Sequence, residues 1–170
     1  MNKTTRQILE GMKKAMQGER TGHEFYKMAA KSTKDPMGRQ VFEELAREEA
    51  EHFSFLARQY DSFLEAGHLD PKVKLGKPMP LDRGHPIFSP AFKKRLKDAH
   101  FEMSALAVAV QLELNGINHY RAEANRARDP DLKRFYEQLV RWEIGHYEAF
   151  LRQQQELQEQ YWAEAGFAPF

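Results

Sequence analysis

A single offset constrains this chain more than any other feature. Residues 15–59 align without a gap with residues 109–153, a constant shift of 94 positions (109 − 15), and 15 of the 45 pairs are identical. Composition alone would give roughly three. The identities include Ala15/Ala109, Gln17/Gln111, Glu19/Glu113, Gly22/Gly116, Tyr26/Tyr120, Asp35/Asp129, Pro36/Pro130, Leu45/Leu139, Glu49/Glu143 and His52/His146, while Phe42/Tyr136 and Phe53/Tyr147 keep aromatic character. A unit repeated at this length is one supersecondary element used twice.

Local signals say that the unit is a helical hairpin. Residues 5–32 place apolar or small side chains at Ile8, Leu9, Met12, Ala15, Met16, Tyr26 and Ala30, close to the helical period. Asp35-Pro36 then reads as a cap with proline in the first turn of a second helix, and Gly67 as its stop. Residues 66–90, with five prolines and three glycines, read as an irregular connection, and PAFKKRL as a short helical piece near its end. Asp129-Pro130 repeats the cap signal between a third and a fourth long helix. The expected organisation is one all-α domain: a hairpin over about 5–65, a crossover over about 66–97, a second hairpin over about 98–158 and an aromatic tail at 159–170. The crossover is long enough to return along the whole bundle, so the second and third long helices should run in the same direction.

Composition narrows the function. With 26 Lys plus Arg against 25 Asp plus Glu and no basic block, nucleic acid is not an expected partner. The absence of cysteine excludes disulfides, thiolate-ligated metal and a thiol nucleophile. ALAVAV at 105–110 is too short to span a bilayer, and MNKTTRQILEGMKKAM lacks the apolar core of a signal peptide, so a cytoplasmic protein without membrane contact is expected.

The chemistry resides in the stretch EEAEHF at 48–53 and its image. Glu-x-x-His alone means little: 18 Glu and 7 His give about 0.7 such pairs by chance, and the chain has three. Glu65-x-x-His68 serves as a control, since its image is Glu159 with Trp162. The other two pairs belong to a larger spacing, because Glu19 precedes Glu49 by 30 residues and Glu113 precedes Glu143 by 30. With turns near 34 and 128, each glutamate lies about 22 Å along its helix from its own turn, so both reach the same height in an antiparallel hairpin. Residues i and i+3 share a helix face, which lets Glu49 with His52, and Glu143 with His146, aim at one point. Packed hairpins would then gather four carboxylates and two imidazoles, a cluster that is costly to bury unliganded and that two divalent cations would neutralise. Glutamate from two helices and Glu-x-x-His from two others is the pattern of carboxylate-bridged di-iron or di-manganese bundles.

In GERTGHEFY, FEELAREEAEHF, LELNGINHY and YEQLVRWEIGHY the chain resembles the ferritin-like di-iron superfamily, and within it the four-helix domain of rubrerythrins. The resemblance spans about residues 5–60 and 98–158. It implies a di-iron centre whose ligands, and catalytic set, are Glu19, Glu49, His52, Glu113, Glu143 and His146, with Tyr26 and Tyr120 hydrogen-bonded behind them. Manganese or zinc would suit the same N/O donors. The implied activity is reduction of hydrogen peroxide, or of dioxygen, with electrons from an external donor such as a rubredoxin-like protein. The alternatives are ferroxidase-type iron handling and a binding bundle in which metal serves stability. Two departures stand out. The cysteine-ligated rubredoxin module of many rubrerythrins has no counterpart, and Gly116, matched by Gly22, stands where they commonly carry an additional glutamate. His23, whose image is Ile117, reads as packing rather than ligation. Met12, Met16 and Trp142 read as core, and SALAVAV at 104–110 as the buried face of the third long helix. Tyr161, Trp162, Phe167 and Phe170 are many aromatics for a solvated terminus and are expected to pack on the bundle or in a homodimer.

Overall fold

The computed structural model describes residues 3–77, 81, 86–94, 96 and 100–165. Its helices are α1 (Lys3–Ser32), α2 (Pro36–Ala66), the short α3 (Pro90–Lys93), α4 (His100–Arg126) and α5 (Pro130–Ala165). The caps follow the sequence signals. Asp35 accepts a hydrogen bond from Gly38 N ahead of Pro36, and Gly67 ends α2 in the left-handed region at φ 76°, with its N–H bonded to Phe63 O. Asp129 Oδ1 accepts from the backbone N–H groups of Asp131 and Leu132 at the start of α5.

Contacts between the hairpins fix the directions of the helices. His119 of α4 bonds to Gly11 O of α1, Tyr120 to Glu19, Tyr26 to Glu113, and Thr33 to Glu102. From Glu19 through Tyr26 to Thr33 the partners run back from Tyr120 through Glu113 to Glu102, so these helices are antiparallel. Since α2 reverses α1, α2 and α4 run in the same direction, as a crossover the length of the bundle requires. That crossover is fastened at both ends by a repeat pair, Gln59 and Gln153, each buried. The Gln59 side chain bonds to Asp70 N and Asp70 O, and Gln153 Oε1 accepts from Ile87 N. Asp35 does double duty, because its carboxylate also accepts from the N–H and hydroxyl of Ser89.

The apolar core divides into two clusters related by the same repeat. One holds Tyr26, Ala30, Phe42, Leu45, Leu106, Ala109, Phe150 and Leu157, near the α1–α2 turn. The other holds their images and equivalents, Tyr120, Ala124, Tyr136, Leu139, Met12, Ala15, Leu56 and Phe63, near the α4–α5 turn. Between them lies a polar mid-plane, which is where the site forms.

Three expectations need correction or restriction. The fourth long helix was expected to stop near Gln158, but α5 continues to Ala165, so the start of the tail is helical. Tyr161 packs on the first cluster and Trp162 is half-buried, whereas Phe167 and Phe170 lie outside the described residues. SALAVAV is not buried as a run: Ala105, Leu106 and Ala109 face inward, while Ala107 and Val108 are exposed, since consecutive helical positions rotate by about 100°. Among the described residues, no helix is long and apolar enough to cross a membrane.

The two aspartate caps should differ in worth. Asp35→Ala removes a helix cap and leaves the half-buried Ser89 N–H and hydroxyl without their acceptor, at about 2–3 kcal/mol, whereas Asp129→Ala loses an exposed cap at about 1 kcal/mol. Chemical denaturation of the two variants checks the difference.

Candidate metal centre

Each of the four long helices delivers side chains to the mid-plane. Glu19 comes from α1, Glu49 and His52 from α2, Glu113 from α4, Glu143 and His146 from α5, and none is more than 5% exposed. The i, i+3 spacing places each histidine one turn beyond its glutamate on the inward face. Donor atoms fall into two overlapping groups, Glu49, Glu113, Glu143 and His146 in one, Glu19, Glu49 and His52 in the other. Within each group the atoms lie no more than 4.8 Å apart. The imidazole rings stand nearly parallel, with centroids 6.3 Å apart.

His52 Nδ1–H donates to Glu19 Oε2 at 3.1 Å and lies 3.4 Å from Glu143 Oε1. His146 Nδ1 lies 3.6 Å from Glu113 Oε2 and 3.9 Å from Glu143 Oε2. The tyrosines cross between halves: the Tyr26 hydroxyl donates to Glu113 Oε1, and the Tyr120 hydroxyl to Glu19 Oε1. Each fixes one oxygen of a carboxylate and leaves the other for the centre. The rings of both tyrosines also belong to the apolar clusters.

Protonation shows how the cluster survives burial without metal. Burial, followed by the neighbouring carboxylates, raises Glu49 and Glu143 well above the ordinary range. Burial also pushes against charge on Glu19 and Glu113, but at Glu19 the His52 charge and hydrogen bond win and lower the carboxyl. At Glu113, the neighbouring Glu143, the charge of His146 and the hydrogen bond from Tyr26 win and bring it to about 2. Burial disfavours imidazolium, yet Glu19 and Glu143 raise His52 to about 10, and Glu113 with Glu48 raises His146 well above its usual value. Two carboxylates and two imidazolium groups then cancel, with the other two carboxyls neutral.

Protons leave this cluster incompletely satisfied. His52 Nε2, Glu113 Oε2, Glu143 Oε1 and His146 Nδ1 are buried without a hydrogen-bond partner. Three of the four belong to one mid-plane set of N and O donors, the composition that suits iron, manganese or zinc. The residues therefore fit a pair of divalent ions, with Glu49 common to both groups.

A cavity of about 370 Å³ opens onto this centre between α1 and α4, lined by Gly18, Gly22, Gly116, Glu19, Glu49, Glu113, Glu143 and both tyrosines among others. The repeat glycines in its lining are not equivalent. A Cβ on Gly22 would lie 2.9 Å from Glu49 Oε2, whereas one on Gly116 would meet Glu143 Cγ at an ordinary 3.6 Å.

A family model described as Rubrerythrin matches residues 10–154. The chain belongs to the rubrerythrin family. Comparison with curated proteins and with solved structures gave no match. Membership in a ferritin-like di-iron family agrees with the all-α bundle and with the buried carboxylate and histidine cluster compatible with a di-iron centre.

Other sequence candidates fall elsewhere. Glu65 and His68 are exposed, and the His68 ring bonds to the neighbouring Leu69 carbonyl. His23 donates to Ala46 O at 2.6 Å and packs α1 on α2. Met12 is core, and Trp142 is core as well but sets its ring edge-to-face against His52, with centroids 4.8 Å apart. One residue escaped sequence reading: Glu48, nearly buried, accepts from His146 Nε2–H at 2.8 Å. Its position in the run EEAEHF was visible, but its repeat image is Trp142, so matching the halves discards it.

Two outcomes follow from this geometry. In the metal-free protein Glu49 and Glu143 keep protons above pH 4.5, and His52 keeps its proton from 6.5 to about 10. The native state then binds more protons than the unfolded chain, so thermal stability should fall as pH rises from about 5 to about 9, whereas metal-loaded protein, whose donors are deprotonated, should gain stability as pH rises from about 5 to about 7. The opposing contribution of Glu113 is lost only as pH falls towards about 2. Gly22→Ala should displace the Glu49 carboxylate and weaken metal binding about tenfold, with Gly116→Ala near neutral, as measured by chelator competition.

Proposed function

We propose that this chain is a di-iron oxidoreductase that reduces hydrogen peroxide, using electrons from a separate donor. The observation that carries the reading is the pair of donor groups sharing Glu49, since a shared carboxylate suits two adjacent ions. The ligands are Glu19, Glu49, His52, Glu113, Glu143 and His146. When bound, two irons passing between ferrous and ferric supply the two electrons that convert peroxide and two protons into two waters.

The chain's own residues supply position and enclosure. The cavity between α1 and α4 admits the oxidant to the four carboxylates, and Gly18, Gly22 and Gly116 add no side chain to its lining. Tyr26 and Tyr120 hold Glu113 and Glu19 in fixed rotamers, which keeps the spacing between the carboxylates through turnover. Apolar clusters above and below exclude water, so charges within the centre interact strongly. With no cysteine in the chain, electrons arrive from a rubredoxin-like protein or another external reductant.

Gly116 favours a second reading, ferroxidase activity, because the glutamate that rubrerythrins commonly carry there is missing. Stopped-flow oxidation of the diferrous protein by peroxide and by dioxygen, at equal concentration, separates the two. Peroxide reduction predicts faster oxidation by peroxide and two ferric ions per chain. Faster oxidation by dioxygen, with ferric iron accumulating beyond two per chain, would establish the ferroxidase instead.

A further inference from the structure

The repeat is broken at one position beside both histidines. Glu48 and Trp142 are repeat images (48 + 94 = 142), and each touches the histidine of the opposite half. Glu48 Oε2 accepts from His146 Nε2–H at 2.8 Å. Trp142 offers His52 only an aromatic ring, at 4.8 Å between centroids and 70° between planes. His52 Nε2 has no hydrogen-bond partner and the residue is fully buried.

This difference reaches the metal through the tautomer. In both histidines Nδ1 is the nitrogen nearest the carboxylates of the centre. A histidine that binds metal through Nδ1 must carry its remaining proton on Nε2. At His146 that N–H is already held by a buried carboxylate, which fixes the tautomer, orients the ring and makes Nδ1 a better donor. At His52 the same N–H has no oxygen to meet, and an aromatic ring is a weak acceptor. The unbound form of His52 is instead stabilised by donating Nδ1–H to Glu19, a bond that metal must displace.

We propose that Glu48 is a positioning residue that makes the two halves of the centre unequal. The position served by His146 binds a divalent first-row cation first and more tightly, and the position served by His52 fills second and empties first. This rests on the metal-centre reading above and adds an order of filling to it. An unequal pair gives the protein a defined one-metal state, which a symmetric repeat would not.

Anaerobic titration of the metal-free full chain with Co²⁺, against a chromophoric chelator and by its visible spectrum, tests the order. Wild type should bind two ions in steps separated by about 10-fold to 100-fold in affinity. His52→Ala should abolish the weak step and spare the tight one, whereas His146→Ala should abolish the tight one. Glu48→Ala should weaken the tight step about 10-fold or more, bringing the two together, and Glu48→Gln, which keeps an acceptor oxygen, should restore most of the gap. A merely structural role would leave the spacing of the steps unchanged after Glu48→Ala and would not distinguish Gln from Ala. Two ions bound with equal affinity in wild type would overturn the inference while leaving the metal centre standing. Failure of wild type to bind Co²⁺ would overturn both.

Discussion

The architecture depends on the burial of four carboxylates and two imidazoles in the middle of a helical bundle. Six ionisable groups at nearly zero exposure repel, lose hydration and would disrupt an ordinary core. The chain tolerates them because like charges never all coexist. Protons neutralise Glu49 and Glu143 in the metal-free state, the histidines balance Glu19 and Glu113, and two divalent ions can replace those protons. The surrounding features serve this arrangement. Two apolar clusters seal the mid-plane from either end, the crossover lets one hairpin pack against its own image, and each tyrosine holds a carboxylate from the opposite half.

Symmetry and its exceptions divide the work. Repeat pairs build the scaffold: Asp35 and Asp129 start helices, Gln59 and Gln153 fasten the crossover, and Tyr26 and Tyr120 brace the carboxylates. Chemistry that distinguishes the two halves then requires unlike residues at equivalent positions. Glu48 with Trp142 is such a pair, and Gly22 with Gly116 shows that even identical residues differ in what they touch. At Gly22 a Cβ would meet the Glu49 carboxylate at 2.9 Å, so any side chain there obliges that carboxylate to shift.

Much of this was legible in the sequence because both signals are periodic. The 94-residue offset located the hairpins, and the 30-residue spacing of Glu19 to Glu49, and of Glu113 to Glu143, located the mid-plane. Both depend on helix rise and helix phase, which a single sequence carries. Glu48 was hidden for the opposite reason, because its partner is 98 residues away and comparison of the halves replaces it with tryptophan. SALAVAV misled because hydrophobicity over a short run carries no phase: its residues spread around α4, and only Ala105, Leu106 and Ala109 are buried. The helical extension to Ala165 was missed because Glu156, Glu159 and the glutamines form no sharp stop, and YWAEA continues the helix without glycine or proline until residue 166.

The central claim is that this buried cluster exists to hold two metal ions. Anomalous diffraction at the iron edge, from crystals of the anaerobically iron-loaded protein, tests it most directly. The account predicts two peaks per chain a few ångströms apart, both bordered by Glu49, one beside His52 and the other beside His146. A fully loaded protein with no peak in the mid-plane, or with iron only at exposed sites such as Glu65 and His68, would contradict it.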